Sequence, residues 1–126
     1  MLNRLARQLG VRILEEAPPI GRGFYVRDSG VILLSPDLSG RERDDTLSHE
    51  LGHALYGDDP GCGEHFHARQ ERAADQFAAR LLIDPCEVEA LETAYGPNWP
   101  KIAYEMGVTD RLLAVWRDMH SRTRMR

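Results

Sequence analysis

TLSHELGHAL, residues 46–55, places two histidines four apart with a glutamate directly after the first. With only 5 His in 126 residues, an H-E-x-x-H pattern would arise by chance about 0.015 times. Whether it carries chemistry depends on what surrounds it. Ser39 with Glu42 three residues later forms a capping-box pattern, and Gly57 supplies a stop, which predicts a helix over about 40–56. At 100° per residue, Leu47, Leu51, Ala54 and Leu55 make one apolar stripe. His49 and His53 share a side about 160–200° from its centre, with Glu50 bordering both. Two imidazoles one turn apart can share a cation, and a carboxylate beside them can take a proton from water held there.

Such a site needs a third protein ligand. HARQERAADQFAARLLI, residues 67–83, predicts a second helix on which Glu71, Ala78 and Leu82 fall on one face, with Arg69, Arg72, Gln76 and Arg80 opposite. A carboxylate buried there needs a partner, and a metal is a sufficient one. Asp75, at the edge of the same face, could accept the spare N–H of a ligating histidine. The plainer alternative has Glu71 favouring the helix N-terminus and Asp75 pairing with Arg72 or Arg80. His65 and His67 are expected in a loop, DDPGCGEHFH (58–67), where histidines are usually exposed. A metzincin pattern is absent, because Tyr56 and Asp59 stand where it needs glycine and its last ligand.

Upstream, residues 2–9 predict a short helix, VRILEE (11–16) a strand, and GFYVRDSGVILLS (23–35) a hairpin turning at Asp28-Ser29-Gly30. Downstream, Asp84, Pro85 and Glu87 open a helix that Gly96-Pro97 ends, and helices over about 99–106 and 110–120 close the chain. The expectation is one domain over 1–126: a helix and small antiparallel sheet in 1–38, the metal-site helices in 39–96, and a helix pair in 97–126.

Composition narrows the classes. Hydrophobic residues make up 42% and charged ones 29%, an ordinary globular balance. A net charge of −4 gives no general attraction to nucleic acid or anionic membrane, although Arg117, Arg122, Arg124 and Arg126 crowd the C-terminus. No stretch approaches the ~20 apolar residues of a membrane span, and neither Cys62 nor Cys86 lies in a C-x-x-C pair. A cytoplasmic protein with free thiols is expected.

HELGH (49–53) and ERAADQFAARLL (71–82), with LGV near the start and MGVTDRLL near the end, make the chain resemble the ImmA/IrrE family of zinc metallopeptidases over about residues 9–120. The resemblance implies an α+β minimal zincin-like (gluzincin-like) fold. It further implies one zinc ion per chain held by His49, His53 and Glu71, with Glu50 as the catalytic glutamate. It also implies a protein substrate, a helix-turn-helix repressor of a phage or mobile element. Tyr56, His65, His67 and Tyr104 are candidate transition-state or substrate contacts, with Tyr95 and His120 behind them. The strand Val31–Leu34 is either an edge for an extended substrate or a plain core strand.

Two other readings compete. IAYEMGVTDRLLAVW, residues 102–116, has the apolar spacing of a helix-turn-helix, but Asp110 and Asp118 offset Arg111 and Arg117 on its exposed side. Direct nucleic-acid binding is therefore not expected. A zinc-stabilised regulator that binds a repressor without cutting it is the second.

Overall fold

A computed structural model describes residues 1–58 and 64–124, and for 64–66 and 122–124 the backbone alone. His65, Asp59, Cys62, Arg122, Arg124 and Arg126, singled out above, therefore lie outside the described side chains. The element order is α1 (Leu2–Gln8), β1 (Arg12–Leu14), β2 (Gly23–Val26), β3 (Val31–Leu34), α2 (Gly40–Tyr56), α3 (Glu64–Leu82), α4 (Pro85–Tyr95), α5 (Trp99–Met106) and α6 (Asp110–Arg124). The class is α+β, as expected.

Local signals act where they are expected. The Ser39 hydroxyl accepts from the Glu42 N–H and opens α2, and Gly57 closes it with φ 64°, a left-handed conformation that a side chain would strain. Asp84 caps α4 through the Cys86 N–H. The sheet departs from expectation in two ways. β2 and β3 form the antiparallel hairpin, but β1 runs parallel to β3, so the sheet is mixed rather than antiparallel. The strand order is β1-β3-β2, which puts Val31–Leu34 in the middle and not at an edge. The reason is burial: Val31, Ile32 and Leu34 are buried, and a run this apolar is best covered on both sides. The free edge nearer the histidine helix belongs to β2, which packs on α2.

α2 lies against β2, β3 and α1 on one side and α3 on the other. Gly52 lets the helices close, since a Cβ there would come within 3.1 Å of the Ala74 backbone and the Phe77 ring. Ile32, Leu34, Leu47 and Leu51 with Ala6 and Val11 form one core beneath the sheet. A second core joins the end of α3 to α4, α5 and α6 through Ala78, Ile83, Val88, Ile102, Leu112, Leu113 and Trp116. Among the described residues no helix is long and apolar enough to cross a membrane.

Candidate metal centre

α2 carries His49 and His53 on the turn facing α3, and Glu71 and Asp75 answer from α3. His49 Nδ1 lies 2.8 Å from Asp75 Oδ1, and its Nε2 lies 2.9 Å from Glu71 Oε2. His53 Nδ1 lies 2.9 Å from Asp58 Oδ2, while its Nε2 is 2.9 Å from Glu71 Oε1 and 3.1 Å from the Nε2 of His49. Each ring therefore has one nitrogen tied to an aspartate. A neutral imidazole that donates from Nδ1 presents a lone pair at Nε2, so the two rings aim lone pairs at one point. Such a pair repels unless positive charge sits between them, and Glu71 brings a carboxylate to the same point. Donor atoms of His49, Glu50 and His53 also lie within 4.8 Å of one another, enough to hold a metal ion. Of the two glutamates, Glu71 reaches both Nε2 atoms and Glu50 stands beside them. Two imidazoles and a carboxylate are a donor set that suits a divalent cation with an open position.

The electrostatics agree. Burial opposes charge on His49, yet its bonds to Asp75 and Glu71 outweigh burial and lift its pKa to about 10. His53 is raised against burial by Glu71 and Asp58. Hydrogen bonds from both rings hold Glu71 well below the usual carboxylate range. Asp75 is lowered too: burial works upward, but the His49 bond and the Arg111 charge win. Glu50 moves the other way, because its burial outweighs the attraction of His49 and His53. A group that must shuttle a proton is better served by such a raised pKa.

A profile of the IrrE N-terminal-like domain matches residues 6–114. The chain belongs to this peptidase family. No curated protein matches it. The IrrE-like domain thus carries its H-E-x-x-H triad in a geometry that can bind a metal, which makes it a metallopeptidase domain.

In this IrrE-like domain the sheet edge meets the metal centre. Ser35 N–H bonds the Arg22 carbonyl across the hairpin at 2.8 Å. By the alternation of an antiparallel ladder, Phe24 and Val26 also bond inward, and Gly23 and Tyr25 turn their backbone groups outward. The Tyr25 N–H bonds the Glu50 carboxylate. Gly23 crosses α2 so closely that a Cβ would meet Thr46 Cγ2 at 2.5 Å. A cleft of about 260 Å³ opens beside Glu50, His53 and Glu71, walled by Ile20, Phe24 and Tyr25. A more polar hollow, with Arg22, Asp45, Thr109 and Arg111, lies on the other side of Gly23 and Glu50.

Several expected positions differ. Glu71 is not enclosed in the apolar face; its side chain is 41% exposed at the mouth of the cleft, with Ala74 and Ala78 taking the buried side of α3. Asp75 pairs with Arg111 of α6 rather than with Arg72 or Arg80. His67 lines the cleft, 3.9 Å from Glu71. Tyr56 does not; it is exposed and meets the edge of Phe77. Tyr104 stands out from α5 between Arg41 and Lys101, Tyr95 shares that lysine, and His120 stacks on Trp116 beside a larger groove of about 840 Å³ whose lining includes neither His49 nor His53. Sequence reading passed over Asp58, Asp45 and Thr109, and weighed Arg111 only as an exposed residue of a helix-turn-helix. Only Asp58 had a local cue: it follows Gly57, whose left-handed turn brings the chain back toward His53.

Proposed function

We propose that the chain is a zinc-dependent endopeptidase of gluzincin type that cuts an extended segment of a protein regulator, a helix-turn-helix repressor being the favoured class. His49, His53 and Glu71 hold the ion. When bound, zinc supplies a Lewis acid that polarises the scissile carbonyl and makes water more acidic. Glu50 accepts a proton from the attacking water and returns it to the leaving amine. Its burial and raised pKa suit both transfers. Asp75 and Asp58 hold the rings in the tautomer that leaves Nε2 free. The outward groups of Gly23 and the Tyr25 carbonyl can receive substrate as an added strand, which would carry its carbonyl past Glu50, itself held by the Tyr25 N–H. His67, at the rim, is the remaining candidate for a substrate contact.

The observation that carries this reading is the convergence of two aspartate-tied imidazoles and Glu71 at one point, beneath an outward strand edge. The repressor as substrate rests on family resemblance, and action in the cytoplasm on the composition of the sequence. A DNA-binding role for α5 and α6 has less support. A recognition helix presents its N-terminal residues to bases, whereas here Thr109 and Arg111 are engaged with Asp45 and Asp75.

The test compares new protein N-termini in cells expressing the wild type with those in cells expressing Glu50→Gln. Termini that require Glu50 identify the substrate. A folded, metal-loaded wild type that produces none, even with a neighbouring repressor supplied, would favour a regulator that binds without cutting.

A further inference from the structure

The N-terminus of α6 reaches the metal centre from the far end of the fold. Thr109 Oγ1 accepts from the Leu112 N–H at 3.1 Å, capping the helix, and donates to Asp45 Oδ2 at 2.7 Å. Two residues on, the Arg111 guanidinium forks. Its Nη2 donates to Asp45 Oδ1 at 2.7 Å and its Nη1 to Asp75 Oδ1 at 3.0 Å. That same Asp75 oxygen receives His49 Nδ1 at 2.8 Å.

Asp45 precedes His49 by one turn of α2 and is 6% exposed, so two carboxylates on different helices are held by one cation. A fork with donors in fixed directions can satisfy both at once, which a single ammonium cannot do without compromise. Without it, Asp75 keeps the imidazole but loses the contact that sets its rotamer. The ring it orients then loses its fixed direction.

We propose that Arg111 is a positioning residue of the metal centre: acting through Asp75, it fixes the direction in which His49 faces the ion, and it makes the start of α6 part of the site's support. This rests on the reading of His49 as a ligand. It gives the C-terminal helix pair a role in that site beyond filling a core.

Zinc affinity, read by competition with a chromophoric chelator on the full chain, tests it without any substrate. Loss of an outer partner of a ligating histidine costs about 10- to 100-fold in metal affinity, and Asp75→Asn should fall in that range. Arg111→Met, one bond further out, should weaken zinc about three- to tenfold. The double variant should bind no more weakly than Asp75→Asn alone, because the arginine acts through that carboxylate. Arg41 donates to the Val108 carbonyl at 3.0 Å, so it ties down the same turn without touching Asp75. Arg41→Met should leave zinc affinity within about twofold of wild type. Arg111→Lys keeps a charge beside both aspartates and guards against a folding defect; it should bind zinc at least about twofold more weakly than wild type. The cobalt-substituted protein should show an altered visible spectrum in both Arg111 variants and an unaltered one in Arg41→Met.

Wild-type affinity in Arg111→Lys or Arg111→Met overturns the proposal, as does full additivity with Asp75→Asn or an equal loss in Arg41→Met. A wild type that binds no zinc would instead overturn the metal-site reading beneath it.

Discussion

The core under the sheet and the core among the last helices are built from similar aliphatic residues, yet they carry different burdens. Ile32, Leu34, Leu47 and Leu51 back a helix whose other faces hold Asp45, Ser48, Glu50 and His53, the buried polar side chains among the described residues. Ile102, Leu112, Leu113 and Trp116 pack with α3 and α4, and among the described residues no buried ionisable side chain lies in that core. Burying charge costs free energy that only pairing or a metal offsets, so the first region spends stability on chemistry. The second recovers it through ordinary apolar burial. Arg111 and Thr109 join the two.

The comparison is broken most sharply by Glu50→Gln. Cleavage should fall by at least about 10²-fold, in line with loss of a general base, while thermal stability and zinc content stay near wild type. Equal activity in the variant would remove the chemistry from the first region altogether.

In the second region, Leu112→Ala should destabilise the fold by about 2–5 kcal/mol in urea unfolding, since Leu112 is fully buried. A loss under about 1 kcal/mol would mean that the last helices add little to the stability of the whole. Between these lies the helix contact that frames the site. Gly52→Ala should cost about 1–3 kcal/mol, because the Ala74 backbone and Phe77 must give way, and it should weaken zinc as α2 and α3 part. A neutral result would show slack where the distances indicate contact.

Metal-free protein and zinc-loaded protein should differ in their response to pH. The folded pKa of His49, about 10, lies above its ordinary 6.5, so its bound proton stabilises the fold fully below 6.5. That contribution declines as pH rises toward 10. Chelator-treated protein should therefore lose unfolding free energy over that window, and zinc-loaded protein, whose rings hold metal instead of protons, should not. Parallel curves for the two forms would contradict the shared site.

The smallest effect is expected at Ser48, whose buried hydroxyl has no hydrogen-bond partner among the described residues. Ser48→Ala should raise stability by up to about 1 kcal/mol, measured as a shift in the urea midpoint. A loss of more than that would reveal a bond to the hydroxyl.

Much of the site was legible because a helix repeats itself. The spacing of His49 and His53 fixes their common side, Ser39 and Gly57 fix the ends of the helix, and the spacing of Glu71 and Asp75 sets them one turn apart. Tyr56 stood among the site candidates, but sequence does not reveal that it would meet Phe77 instead. Glu71 was expected inside an apolar face, but the breadth of that face depends on how closely α3 approaches α2, and small residues at Gly52, Ala74 and Ala78 narrowed it.

By itself the sequence determined the α+β class, the bounds of α2, α4 and α5, the H-E-x-x-H side of α2 and the family, all of which depend on interactions within a few turns of chain or on a short motif; α3 begins at Glu64, where a loop was expected, and α6 runs past 120 to Arg124. Tertiary structure alone decided that β3 lies between β1 and β2, that the free edge beside α2 belongs to β2, and that Arg111 stands behind Asp75 and His49. Arg111 is 36 residues from Asp75 and 66 from Asp45, and their pairing exists only once the packing of α6 on α3 has brought the three together. No local periodicity encodes such a meeting, because its energy comes from contacts that form after the chain has closed on itself.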